Sequence, residues 1–85
     1  MTVEIWGKPR CNFCEKAKQL CESRNLNYVY KQLDIDFTRE EILEKFPDAK
    51  TFPQIIVIGT KVGGYDKFVT YLNETGYNGT GYTLS

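Results

Sequence analysis

Residues 2–35 pass from a strand-like hydrophobic period to a helical one and back, and this order constrains the fold more than any other feature. Residues 2–6 alternate polar and apolar side chains, as is typical of a strand. A helix is predicted from Asn12 to about Arg24, and a second strand from Tyr28 to Ile35. Because a helix joins the two strands, they should pair in parallel through a right-handed crossover. The predicted apolar stripe of that helix contains Phe13, Ala17, Leu20 and Cys21.

The second half of the chain predicts two further helices and an antiparallel pair of strands. Thr38 and Glu41 have the spacing of a capping box, which predicts a helix that Pro47 ends. Residues 54–58 form an apolar, β-branched strand suited to burial on both faces, and a tight turn at 59–61 leads into a short strand at Val62. The apolar faces are predicted to hold Ile42, Leu43 and Phe46 in this helix, and Phe68, Val69 and Leu72 in a last helix that ends near Gly76.

These elements predict an α/β fold in which a mixed four-stranded sheet is flanked by three helices, with helices on both faces. A chain of 85 residues has room for one hydrophobic core, so we expect a single domain over residues 1–76. Residues 77–85 are rich in Gly, Thr and Tyr, and we expect them to form a flexible tail.

Charge and hydropathy argue against several classes of partner. Lys plus Arg equals Asp plus Glu, at 11 each, so the chain lacks the basic field that attracts nucleic acid. Its longest aliphatic run, residues 55–58, is far shorter than the roughly 20 residues of a membrane helix. Glu4 interrupts the start of the chain, where a signal peptide would be apolar. We therefore expect a cytoplasmic protein that binds neither nucleic acid nor membranes.

Three cysteines and the absence of histidine limit the chemistry of the chain. An odd number of cysteines cannot form a fully paired disulfide framework, and a reducing compartment makes any disulfide transient. Without histidine, Ser-His and Cys-His nucleophile pairs are excluded, and one chain has too few soft ligands for a closed zinc site. What remains is thiol chemistry or no chemistry, and no metal is expected.

The first candidate site is Cys11-Asn-Phe-Cys14, which lies between the first strand and the first helix. Amide groups and the helix dipole stabilise a thiolate at a helix start, so we expect Cys11 to be the attacking sulfur, with a lowered pKa. Cys14, one turn further, is placed to attack a mixed disulfide on Cys11. The alternatives are half of a metal site and two packing cysteines; Cys21, on the apolar stripe, is interpreted as a buried small hydrophobe.

Two further segments are candidates for ligand contacts. In Thr51-Phe-Pro53, a proline at the head of a strand has a structural explanation, because it donates no ladder hydrogen bond. A cis bond before Pro53 would instead turn the backbone of Phe52 toward the cysteines, where it could pair with an extended peptide. Gly63-Gly-Tyr-Asp66 is either a simple turn or an anion site of exposed amides at a helix start.

In this order and at these separations, the three segments resemble the C-x-x-C, T-V-P and G-G motifs of the glutaredoxin family of the thioredoxin superfamily. The resemblance covers residues 1 to about 75. It implies a thioredoxin-like fold and a glutathione-dependent thiol-disulfide oxidoreductase in which Cys11 is the nucleophile and Cys14 the resolving thiol. It further implies a protein that reduces protein disulfides or glutathionylated proteins, with ribonucleotide reductase as a typical client. We expect a monomer, although the sequence itself leaves the oligomeric state open.

The same resemblance implies which residues contact glutathione. Lys8 matches the basic residue for the glycyl carboxylate, Phe13 the aromatic beside the cysteines, and the backbone of Phe52 the partner of the cysteinyl part. The remaining implied contacts come from the loop around the proline and from the segment for the γ-glutamyl end. They are Thr51, Pro53, Gly64, Tyr65 and Asp66.

Two alternative functions stay open at this point. Lys67 stands where the family pattern has a second acid, which favours a redoxin recharged by thioredoxin reductase instead of by glutathione. The other alternative is a binding protein that holds a [2Fe-2S] cluster between two chains through Cys11 and two glutathiones. The presence of both cysteines, in place of the C-G-F-S sequence associated with such carriers, argues against the cluster.

Overall fold

The computed structural model describes residues 2–75, so the predicted tail at 77–85 lies outside the described residues. The sheet order is β2-β1-β3-β4, with β1 parallel to β2 and β3 antiparallel to both of its neighbours. This is the predicted mixed four-stranded sheet with three helices. The elements in chain order are β1 Val3–Gly7, α1 Asn12–Ser23, β2 Tyr28–Gln32, α2 Arg39–Lys45, β3 Gln54–Val57, β4 Thr60–Gly63 and α3 Tyr65–Thr75.

The two faces of the sheet bury separate clusters, because successive side chains of a strand point in opposite directions. Val3 and Ile5 of β1 pack against α1 and α3 on one face, together with Ile55 and Val57 of β3. On the other face lies a smaller cluster with α2. Its members are Trp6, Phe37, Ile42, Phe46 and Ile56. All of β3 is buried, as predicted for a central strand covered on both faces.

The predicted second strand is too long, since β2 ends at Gln32. The chain turns there: Asp34 has a φ of +68°, and the carboxylate of Asp36 accepts a hydrogen bond of 2.8 Å from the Gln32 amide. This turn leaves Ile35 74% exposed and brings Phe37 into the core instead. The β-branched Ile35 was therefore misassigned because the turn chemistry of the flanking aspartates outweighs its strand preference.

The predicted third strand is also too long, by one residue. Ile58 has a φ of +47° and is followed by Gly59 at +78°, so these two residues form the turn of the hairpin. Strand β4 consequently starts at Thr60 and includes Lys61, which the sequence had suggested as a turn residue.

Two residues of the predicted helical stripes are exposed. Phe13 is 50% exposed, and the buried residues of α1 are Cys14, Ala17 and Cys21. Leu43 is 45% exposed, while Ile42 and Phe46 are buried as predicted. The capping box of α2 is present, since Thr38 Oγ1 accepts from the Glu41 amide and Glu41 accepts from the Thr38 amide. Within residues 2–75, no helix combines the length and the apolar character needed to cross a bilayer.

Candidate functional site

The two cysteines of the C-x-x-C sequence lie at the start of α1. Cys11 is the N-cap residue, with an extended backbone, and Cys14 lies in the first turn of the helix. Their Cα atoms are 5.2 Å apart and their sulfurs form a disulfide. The Cys14 amide donates a hydrogen bond of 3.2 Å to Cys11 Sγ, so the Cys11 sulfur takes the place of the usual capping oxygen.

The cysteines differ in their access to solvent. Cys11 is partly exposed, whereas Cys14 and Cys21 are both 0% exposed. An incoming thiol or thiolate therefore reaches the Cys11 sulfur more easily than that of Cys14. Cys21 packs in the core against the sheet, and its burial, with a smaller contribution from Glu22, raises the pKa of its thiol to about 11. This agrees with its interpretation as a buried small hydrophobe.

The proline loop before β3 lies next to the cysteines. The Phe52–Pro53 peptide bond is cis, which settles the isomer that the sequence left open. The carbonyl oxygen of Phe52 lies 3.9 Å from Cys11 Sγ. The buried Gln54 side chain donates a hydrogen bond of 2.8 Å to the Thr51 carbonyl, which holds the loop against the start of the strand. Backbone groups of Phe52 are therefore beside the reachable sulfur.

The glycine pair leads directly into α3. Gly63 has a φ of +115°, a conformation that favours glycine, and the first backbone bond of the helix runs from the Phe68 amide to the Gly64 carbonyl at 3.0 Å. The amides of the first helical turn precede that bond and have no intrahelical acceptor. Gly64 also lies close to the proline loop, since a Cβ placed on it would be 3.7 Å from the Pro53 carbonyl oxygen.

One cavity of about 740 Å³ connects these segments. All the predicted glutathione contacts except Lys8 line it. The Lys8 ammonium instead lies 5.7 Å from the centroid of the Phe52 ring, which does line the cavity. The rings of Phe13 and Tyr65, whose centroids are 5.9 Å apart, bring the start of α1 next to the start of α3. The exposure of Phe13, unexpected for a core residue, is thus explained by its place in the cavity wall.

The cavity also has lining residues that are not among the predicted glutathione contacts. They come from the end of α2, the loop that follows it, the first residue of β3, β4 and α3, so only the fold brings them together. Four of them are lysines, and apart from Lys67 no motif or spacing in the sequence distinguishes these from ordinary surface lysines. The additional residues are Lys45, Phe46, Pro47, Asp48, Ala49, Lys50, Gln54, Lys61, Gly63 and Lys67.

In the part of the chain that the structure describes, no group of three or more His, Cys, Asp and Glu side chains is arranged to hold a metal ion. Outside its own helix the Cys11 sulfur contacts the Phe52 carbonyl, and the Lys8 ammonium lies 5.7 Å from the centroid of the Phe52 ring. The chemistry that this surrounding supports is exchange between a thiolate and a disulfide at the partly exposed sulfur.

Comparison with known proteins gives a consistent result. The family model described as glutaredoxin matches residues 3–62. Glutaredoxin 1 of Rickettsia felis is 36% identical over 69 residues, which cover 76% of this chain and 66% of that relative. Glutaredoxin 1 of Escherichia coli K12 is 31% identical over 81 residues, covering 87% of this chain and 95% of the relative.

The solved structure of reduced Escherichia coli glutaredoxin superposes with a TM-score of 0.75 at 30% identity, covering 87% of this chain and 95% of that one. Coverage of other relatives is lower, because this chain spans 40% to 66% of the length of four curated glutaredoxins that it matches. The family match extends over both cysteines, the proline loop and most of the sheet. The chain therefore belongs to the glutaredoxin family, and Cys11 and Cys14 are its C-x-x-C pair.

Proposed function

We propose that this protein is a glutathione-dependent oxidoreductase that reduces protein disulfides and glutathionylated proteins through Cys11 and Cys14. The observation that carries the proposal is the cavity lined by Phe52, whose carbonyl oxygen lies 3.9 Å from the reachable Cys11 sulfur. It joins the backbone of Phe52, the free amides at the start of α3 and the carboxylate of Asp66. These groups offer hydrogen-bonding partners to the backbone and to the charged N-terminal end of a short thiol peptide.

The proposed pose of glutathione follows from the chemistry of its two ends. Its γ-glutamyl end carries a carboxylate and an ammonium, which suit the amides at the start of α3 and the Asp66 carboxylate respectively. Its cysteinyl part pairs with the backbone of Phe52, beside Cys11. Its glycyl carboxylate is assigned to Lys8, whose ammonium lies over the ring of Phe52. In this pose the N-terminal end of the peptide lies at Asp66.

Reduction of a protein disulfide proceeds by two exchanges. The Cys11 thiolate attacks one sulfur of the target, forming a mixed disulfide and releasing the other target sulfur as a thiolate that takes up a proton. Cys14, deprotonated as it attacks, then displaces the target from Cys11. The products are the reduced target and the Cys11–Cys14 disulfide, which is the state that the structure shows.

Two glutathione molecules restore the dithiol. The first attacks Cys11 as a thiolate, forms a mixed disulfide there and releases Cys14 as a thiol. The second attacks the bound glutathione sulfur, releasing Cys11 and one molecule of glutathione disulfide. With a glutathionylated protein, Cys11 attacks the glutathione sulfur directly and the protein thiol leaves, so this reaction needs Cys11 and one further glutathione only.

The test is NADPH consumption with a small disulfide substrate under two recharging systems. One contains glutathione and glutathione reductase, and the other contains thioredoxin reductase alone. We expect turnover with glutathione only, and a Cys11→Ser variant should remove it. Turnover with thioredoxin reductase only would retain the roles of the cysteines and overturn the glutathione site, in favour of the alternative that Lys67 suggests.

The proposal also covers the setting of the reaction, on the basis of the family resemblance and the composition. We place a monomeric protein in the cytoplasm, with ribonucleotide reductase as one client. A reconstituted ribonucleotide reductase assay supplied with glutathione, glutathione reductase and NADPH tests that client, and sedimentation of the purified protein tests the monomer. An absorbance spectrum of the freshly purified protein tests the [2Fe-2S] alternative, because a bound cluster would colour it brown.

A further inference from the structure

The cavity is larger than the part assigned to glutathione in the proposed pose. Its wall also includes Lys45 at the end of α2, residues 46–50 of the loop that follows and Lys61 of β4. None of these residues is among the contacts assigned to glutathione. The residues of this part, which we name the distal end of the cavity, are Lys45, Phe46, Pro47, Asp48, Lys50 and Lys61. Lys61 lies near Asp66, since both also line a second, smaller cavity.

The distal end carries an excess of positive charge. Lys45, Lys50 and Lys61 line it together with a single carboxylate, that of Asp48. Within residues 2–75 the ion pairs are Lys18–Glu15 and Lys31–Glu4, and neither lies in the cavity. The charge of the whole chain is +0, so this excess is local. Cations grouped in a concave wall attract an anionic partner more strongly than scattered surface lysines do.

Two of these lysines are held in place by their surroundings. The Lys61 ammonium donates a hydrogen bond to the carbonyl of Lys45, the last residue of α2, and lies 5.5 Å from the centroid of the Phe46 ring. The Lys45 ammonium lies 5.3 Å from the centroid of the Trp6 ring. A cation restrained in this way loses less rotamer entropy when a ligand binds, and the Lys61 ammonium has further protons to donate.

The orientation of a bound peptide determines which of its residues reach the distal end. If a protein substrate takes the place of glutathione, the residue before its reactive cysteine lies at the start of α3, near Asp66. Earlier residues continue past Asp66, each extending the chain by about 3.3 Å. Residues on the C-terminal side of the reactive cysteine run toward Lys8 instead. The distal end is therefore reached by residues that precede the reactive cysteine.

We propose that the distal end of the cavity binds acidic residues located two to four positions before the reactive cysteine of a protein disulfide. The occupant is an extended peptide segment whose Asp or Glu carboxylates contact the ammonium groups of Lys45, Lys50 and Lys61. This proposal rests on the proposed function, because it uses the peptide direction given there. The proposal assigns substrate preference to lysines that take no part in the thiol-disulfide exchange itself.

The test compares synthetic peptides that each contain one intramolecular disulfide. The first has three acidic residues at positions two to four before the reactive cysteine, the second has glutamines there, and the third carries the acidic residues after that cysteine. Glutathione, glutathione reductase and NADPH report the turnover. We expect kcat/KM to be about tenfold higher for the first peptide than for the other two, and this advantage to shrink as salt is raised.

A double variant, Lys50→Gln with Lys61→Gln, should reduce the ratio of kcat/KM between the first and second peptides by about fivefold. The matched control is Lys18→Gln with Lys31→Gln, which removes the same charge outside the cavity and should keep the ratio. Two results would overturn the proposal. One is an equal kcat/KM for all three peptides, and the other is an equal decrease, in both double variants, of the kcat/KM ratio between the first and second peptides. If no peptide and no small disulfide is turned over with glutathione, the proposed function itself fails.

Discussion

The backbone amide of Cys14 donates a hydrogen bond to Cys11 Sγ across 3.2 Å, so the sulfur of the exposed cysteine acts as the N-cap of α1. After reduction the same amide faces the Cys11 thiolate. A hydrogen bond to an anion is stronger than one to a neutral acceptor, and the helix start adds a positive potential. The position of Cys11 in the helix therefore connects the local fold to its reactivity.

The first prediction concerns the alkylation of the reduced protein. Cys11 should react with iodoacetamide before Cys14 and Cys21, and its rate should reach half of its maximum well below the pH of about 8.5 typical of an exposed cysteine. Mass spectrometry of the digested protein identifies the modified residue. A midpoint at the ordinary value, or first reaction at Cys14, would contradict the assignment of the nucleophile.

The second prediction separates the two reactions proposed for the site. A Cys14→Ser variant should lose the reduction of protein disulfides, because no second thiol can displace the target from Cys11. It should still remove glutathione from a glutathionylated protein, which needs Cys11 alone. Both rates are measured with glutathione, glutathione reductase and NADPH. An equal loss of both activities would show that the roles of Cys11 and Cys14 are misassigned.

The third prediction tests the γ-glutamyl end of the proposed glutathione pose. Asp66→Asn should raise the KM for glutathione by about fivefold, because the amide replaces a carboxylate that meets the ammonium of the ligand. Asp48→Asn is the matched control, since Asp48 lines the same cavity but lies in the distal end. The same KM in both variants would remove Asp66 from the glutathione site.

The fourth prediction concerns stability at alkaline pH. The pKa of Cys21 is raised from 9.0 to about 11, so the thiol is protonated in the folded and the unfolded chain below pH 9. Above pH 9 the unfolded chain releases this proton first, and the stabilisation is lost progressively until about pH 11. The oxidised protein should therefore lose about 2 kcal/mol of unfolding free energy relative to a Cys21→Ala variant over this range.

Urea unfolding of both proteins at several pH values measures this difference. The comparison between wild type and variant cancels the titration of shared groups that do not interact with Cys21. Tyr28 is not among them, because its pKa, raised to about 12 mainly by the hydrogen bond to Glu22, also depends on Cys21 to a small extent. If the difference in unfolding free energy between the wild type and the variant stays constant from pH 9 to pH 11, burial does not raise the pKa of the Cys21 thiol.

The layered fold was predictable because its signals are local and repeated. In β1, Val3 and Ile5 are buried on one face of the sheet, and Trp6 is buried on the other. The errors occur where one residue has competing preferences. Ile35 and Ile58 are β-branched, yet each lies in or beside a turn set by residues with positive φ, and no hydrophobic period indicates that conformation.

The candidate site was predictable only in part, for a different reason. The motifs around Cys11, Pro53 and Gly64 are continuous in sequence, and all three segments lie beside the cavity or the reactive sulfur. The lysines of the distal end come from separate elements, and Lys45 and Lys61 meet only because β4 lies near the end of α2. Such a grouping depends on tertiary packing, which spacing along one chain does not reveal.

The most direct test of the account is to locate glutathione in a covalent complex. In a Cys14→Ser variant, oxidised glutathione should form a stable mixed disulfide with Cys11, because the displacing thiol is gone. Amide NMR shifts between this complex and the free variant should then be largest at Phe52, Tyr65 and Asp66. Attachment without shifts at these residues, or failure of the mixed disulfide to form at Cys11, would contradict the central claim that this cavity holds glutathione during the reaction.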